Sequence, residues 1–172
     1  MTGSGDPGSL SATGGLLLRL AAGLRSDASR TSAAYAGLQG EWVGRASVAA
    51  RRRGDLLVAS VSTVAEEAAQ VGALLQRHST DLAGLLDEEA TTRTRATGSG
   101  FVVTENGVSL APGLRGVADP AEVARTDAER AALDLAWHDV QHRLATARAT
   151  LCRQLTASAD RLSSSATTLR TR

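Results

Sequence analysis

A chain of 172 residues, 42% of them apolar, is long enough for one domain with a sizeable core, yet only 2% of it is aromatic. Ala, Leu, Arg, Ser and Thr dominate and Pro occurs three times, a composition that fills helices and does not furnish the inner faces of a β-sandwich. The net charge of +1 shows no excess of positive charge that would call for nucleic acid.

Every basic residue is Arg, and Lys and Ile are absent, which reads as the codon supply of a GC-rich genome. The longest apolar run, "GGLLLRLAAGL", is interrupted by Arg19 and falls far short of a membrane span. The first residues, "MTGSGDPGSL", lack the basic and then apolar stretches of an ordinary secretory signal. The lone Cys152 has no internal disulfide partner. These features predict a cytoplasmic protein, unless export uses a route that carries folded helices.

The first helix is expected over 6–39. Asp6 supplies the N-cap, and Pro7 fits the first helical position, where no amide hydrogen is needed. Leu10, Leu17, Leu24, Thr31 and Leu38 recur every seven residues, interleaved with Gly14, Ala21, Ala28, Tyr35 and Trp42. This is an a/d seam with large residues in one row and mostly small ones in the other.

Gly40 and Gly44 bracket a turn at 40–45, and a second helix is expected over 46–90. Its seam runs Leu57, Val61, Val64, Ala68, Val71, Leu75, His78, Leu82 and Leu85. Folding the two helices antiparallel places residues whose numbers sum to about 85 side by side, so Tyr35 should meet Ala50 and Leu17 should meet Ala68.

The pattern stops at 91–118, which holds five glycines and Pro112, with Pro120 just beyond it. Within it, "FVVTENGVSL" predicts a β-hairpin over 101–110 around Asn106-Gly107. A two-stranded hairpin is not stable alone, so it should cap the helices through Phe101, Val103, Val108 or Leu110. A third helix is expected over 119–169. Asp119 caps it, Pro120 opens it and Glu122 is placed to reach back in a capping box. Its stripe runs Leu133, Trp137, Val140, Leu144, Ala147, Leu151, Leu155, Leu162, Ala166 and Leu169. The expected fold is all-α: a single domain of an antiparallel helical hairpin and a third long helix, with a small β-hairpin insertion.

A helical hairpin over 6–90 with Trp42-Val43-Gly44 in its turn resembles the WxG superfamily of small helical proteins handled by type VII (ESX-like) secretion systems of actinobacteria. The later "GFVVTENGVSLAP", followed by "DPAE" and another helix, is similar to the N-terminal helical modules of larger actinobacterial proteins assigned to that route. The resemblance implies a substrate, or a partner and targeting module, that presents a folded hairpin to a protein partner. That partner would be a secretion component or another WxG-type protein.

The family's export signal, a Tyr followed four residues later by Asp or Glu, has no counterpart, since Tyr35 is followed at that distance by Gln39. Export would then rely on a signal carried by the partner, and a retained cytoplasmic adaptor is the other outcome. The third helix would lie in the groove where a partner's hairpin packs in the family.

Recognition is expected at Trp42 and Gly44, with Arg51, Arg52 and Arg53 beside the turn. Packing alone would also account for Trp42, as a plug in the open end of the hairpin. Solvation would account for the three arginines, and contact with an acidic partner is their functional alternative.

"AWHDVQH" places His138 and His142 one helical turn apart, like the His-Glu-x-x-His zinc motif with Asp139 in place of Glu. A zinc hydrolase needs a third ligand. The only later acid, Asp160, is about 27 Å along a straight helix. Both histidines point away from the apolar stripe and read as surface residues. His78 reads as a histidine near the start of the first helix, and Cys152 as a buried or half-buried thiol.

No catalytic group, metal or cofactor is assigned. The leading reading is a non-enzymatic WxG-type protein. The alternative is a cytoplasmic helical bundle that associates with itself and has no link to secretion.

Overall fold

The computed structural model describes residues 5–37, 44–112 and 119–170, the last three by backbone alone. Three helices, α1 (Pro7–Gly37), α2 (Arg45–Gly98) and α3 (Pro120–Arg170), and a two-stranded antiparallel sheet, β1 (Phe101–Thr104) and β2 (Gly107–Leu110), make the expected all-α fold with a hairpin insertion. The chain divides into two compact units. One comprises Met1–Ser79 with Leu151–Arg172, and the other Thr80–Thr150.

In the first unit, α1 begins on the Asp6 carboxylate, which accepts the backbone N–H groups of Gly8 at 3.1 Å and Ser9 at 2.9 Å. The Ser9 hydroxyl and these amides hold the Asp6 carboxyl below its ordinary range. The heptad seam is the buried side of α1. Gly14, Ala21 and Ala28 are buried, Leu10, Leu17, Leu24, Thr31 and Tyr35 are half-buried, and the flanking positions Leu16 and Leu20 are exposed. Leu38, the last member of its row, lies outside the described residues, as do Gly40, Trp42 and Val43.

α2 turns a row of small residues, Gly54, Ala65 and Gly72, toward α1. A Cβ on Gly72 would stand 2.9 Å from the carbonyl oxygen of Gly14, and one on Gly14 would stand 2.8 Å from that of Gly72. The two backbones approach as closely as glycine allows. The Ser11 hydroxyl donates to Gln76 Oε1 at 3.1 Å, Gln76 Nε2 donates to the Ser11 carbonyl at 2.6 Å, and Ser79 donates to the Pro7 carbonyl at 2.7 Å.

Away from the turn these contacts keep the expected register to within a residue or two, with Pro7 beside Ser79 and Gly14 beside Gly72. Nearer the turn it departs: Tyr35 lies over Gly54, one turn beyond the expected Ala50, because only a residue without a Cβ leaves room for the ring. Leu57 and Val64, expected within the seam, are exposed, since the side of α2 turned to α1 carries the small residues instead.

The second unit contains the last part of α2, the β-hairpin and the first part of α3. α2 runs past residue 90 to Gly98. The "TTRTRAT" stretch contains no breaker, Thr94 and Thr97 return their hydroxyls to the carbonyls four residues back, and Thr92 and Ala96 are buried. Ala96, Phe101, Val108, Leu133 and Trp137 form one buried cluster, with Val103 packed against it. Arg93 lies over the Trp137 ring, 5.2 Å from its centroid. Phe101, Val103 and Val108 thus dock the hairpin as expected, while Leu110 remains exposed.

The strands pair Phe101 with Leu110 and Thr104 with Gly107, so the turn residues are Glu105 and Asn106. Both keep negative φ, and Gly107 alone takes a positive φ, 123°. The Asn-Gly signal marks the hairpin but sits one residue later than the turn centre. A Cβ on Gly107 would fall 2.3 Å from Asp134 Oδ1, the same oxygen that accepts the Val108 N–H at 2.8 Å.

α3 starts as expected on Asp119, whose carboxylate accepts the Ala121 N–H at 3.1 Å. Glu122 does not close a capping box; it pairs with Arg125 on the next turn. Leu133, Trp137, Val140 and Leu144 are buried, whereas Leu151, Leu155 and Leu162 are half-buried and Ala166 is exposed. The Leu169 side chain lies outside the described residues.

The helical glycines separate close approach from simple flexibility. Gly72→Ala should destabilise the fold by about 1–3 kcal/mol, because the new methyl meets backbone that cannot swing aside. Gly84, where a Cβ meets nothing within 4 Å, should instead gain about 0.5–1 kcal/mol as Ala. Thermal and urea unfolding of the two variants checks both signs.

Candidate functional site

The expected recognition region is the start of α2. Trp42 and Val43 lie outside the described residues, so the structure places only Gly44 and the three arginines of that group. Gly44 has φ 127° and open space where a Cβ would be. Its carbonyl accepts the Val48 N–H at 3.3 Å and the Ser47 hydroxyl at 2.7 Å, so it is the residue from which α2 springs. Ser47 is buried, and its oxygen accepts in turn from Arg51 Nη2 at 3.1 Å.

Gly44, Ser47 and Arg51 therefore form one hydrogen-bonded chain, which ties half-buried Arg51 to the helix start. Arg52 and Arg53 are exposed and are not drawn into it. The first turn of α2 carries no acidic residue. Arg45 and the positive end of the helix dipole reinforce one another there, leaving an electropositive helix start suited to acidic groups.

A second polar site was not legible in the sequence. Glu67 of α2 is buried, accepts Arg161 Nε at 2.6 Å and Arg161 Nη2 at 2.9 Å, and accepts the Ser158 hydroxyl at 2.7 Å. The bidentate guanidinium, and then the hydroxyl, hold the Glu67 carboxyl below the ordinary carboxylate range against the opposing pull of burial. Arg161 is raised by the same pairing. Both carboxylate oxygens are engaged by protein groups, so the trio fastens α3 to α2 and is not poised for proton transfer. No short motif announces such a pair, because 94 residues separate its charged members.

The two α3 histidines are exposed, as expected from the apolar stripe. His138 Nδ1 is 2.8 Å from the Asp134 carbonyl oxygen and 3.6 Å from the Asp134 carboxylate. Asp139 approaches Arg143 at 3.5 Å, and Arg143 is held more firmly by Glu88, at 2.6 Å. His142 instead lines a groove with Asp81, Glu88 and Arg143. Among the described residues, no three His, Cys, Asp or Glu side chains converge as a metal site would require.

His78 is buried, in keeping with its place in the seam. Cys152 corrects the expectation of a buried thiol: it is exposed, because it falls on the flank of the α3 stripe and not in it. No described helix is long and apolar enough to cross a membrane. The chain matches no protein-family model, no curated protein and no solved structure.

Two measurements follow from this geometry. Gly44→Ala should destabilise the chain by about 1 kcal/mol through its positive φ, with no steric contribution, as read by chemical unfolding. The lowered Glu67 pKa contributes stability that is complete above the unfolded carboxylate value near 4.5 and is lost as pH falls through the folded value. Glu67→Gln should therefore cost about 1 kcal/mol at neutral pH, solvent screening at the half-exposed Arg161 being included. Its melting temperature should also decline less steeply than wild type below pH 4.5.

Proposed function

We propose that this chain is a non-enzymatic helical protein of the WxG type, a substrate or a partner and targeting module of a type VII secretion system. The observation that carries the reading is the close-packed antiparallel pairing of α1 and α2, with Trp42-Val43-Gly44 in the segment that joins them. The electropositive start of α2, with Gly44, Arg51, Arg52 and Arg53, is the surface offered to an acidic partner or secretion component. The chain would leave the cell with a partner carrying the export signal, or stay inside as an adaptor.

The test compares culture filtrate and lysate by immunoblot, with and without the type VII ATPase, in an actinobacterium that has such a system and expresses the chain. Filtrate signal that vanishes with the ATPase supports the proposal. Equal retention in both strains, with a lysis control, removes the secreted reading and leaves the adaptor. The adaptor falls in its turn if the chain fails to co-purify with any component of the system.

A self-associating helical bundle with no link to secretion is favoured by a separate observation, the exposed leucines on all three helices. Whether Trp42 itself recognises a partner or only packs is a separate question. As a partner-recognition residue, Trp42→Phe should lose partner capture at unchanged stability; as a packing plug, it should leave capture intact.

A further inference from the structure

The two compact units differ in charge. Residues 1–79 and 151–172 carry twelve Arg against seven Asp and Glu, a formal charge of +5, whereas residues 80–150 carry seven Arg against eleven acids, a charge of −4. The near-neutral whole conceals a basic unit and an acidic one. Each also leaves apolar side chains in water.

In the basic unit these side chains share one flank of the α1–α2 pair. Ser29, Ala33 and Ala36 of α1 meet Val58 and Ser62 of α2 in a groove along one flank. Helical geometry therefore sets Leu20 of α1, and Leu57 and Val64 of α2, along the other flank. Leu20 is 52% exposed, Leu57 54% and Val64 42%, so this flank of the basic unit presents an apolar strip to water. A helix laid along such a strip would bury it.

The acidic unit carries an exposed apolar helical surface of its own. Leu135 of α3 is 73% exposed, with exposed Ala128 and Ala131 before it and Asp139 one turn after it. Leu57 has exposed Arg53 one turn before it. An antiparallel meeting of the two helices that seats Leu135 beside Leu57 brings Asp139 to Arg53. Two like units would set charges of one sign against each other, but unlike units attract.

We propose that the chain associates with a second copy of itself through unlike units: the acidic unit of one copy, led by Leu135 of α3, lies along the exposed apolar flank of the basic unit of the other. The inference rests on surface chemistry alone and holds whether or not the chain is exported.

Sedimentation velocity of the full chain at low and high salt tests it. Wild type should sediment at low ionic strength as a species of at least twice the 17.7 kDa monomer mass and dissociate toward monomer as salt rises. Leu57→Asp and Leu135→Asp should each be monomeric with wild-type helical circular dichroism, both side chains being exposed. Arg53→Glu should weaken association, and Arg53→Glu with Asp139→Arg in the same chain should restore it. A monomeric wild type at low salt overturns the proposal. Association that strengthens with salt, survives Leu135→Asp unchanged, or is not rescued by the charge exchange overturns it equally.

Discussion

The structure depends on how closely two helix backbones approach. Gly14 and Gly72 stand where a single added carbon would press on the carbonyl of the facing helix, and Gly54 does the same for the Tyr35 ring. Everything else in the first unit is adjusted to that separation. The Gln76 amide reaches the Ser11 carbonyl, and Ser79 reaches that of Pro7, only because the axes are close. The leucines flanking the small-residue row are lifted to the edges of the contact, half-buried or exposed, and do not interdigitate at its centre. A narrow seam and an apolar flank in water have the same cause.

The two units are held by different means. The first relies on backbone proximity and on one engaged carboxylate, Glu67, clamped by Arg161 and Ser158. The second has a compact apolar cluster around Phe101 and Trp137, covered by Arg93 and locked to the hairpin where Asp134 takes the Val108 amide. The chain's only Phe and one of its two tryptophans are spent on this small cluster, which accounts for the aliphatic and glycine-based packing elsewhere.

Much of the fold was legible in the residue pattern. The α1 seam could be read residue by residue, since its buried stripe follows a regular heptad spacing. The caps at Asp6 and Asp119 were legible because capping is local chemistry. α2 was harder, because it serves α1 with a row of glycine and alanine and carries a second, larger-residue face at Leu75, His78, Leu82 and Leu85. A scan for large apolar residues follows only the second face and wrongly extends it to Leu57 and Val64. The hairpin was visible in Asn106-Gly107, but its frame was not, since the glycine is placed by Asp134 on a distant helix. Of the candidate site, Gly44 and the arginines could be found by position. The Glu67 clasp, made across 94 residues, left no local signal.

A seam built from glycine and alanine also has a thermal character of its own. Docking α1 removes little apolar surface from water at the centre of the contact, so the heat-capacity change tied to its release is small per residue. Its attachment draws instead on dispersion between closely set backbones and on a few hydrogen bonds, which are enthalpic. The hold of α1 on α2 therefore weakens on warming along a nearly straight line, with little of the curvature that makes apolar cores fail in the cold.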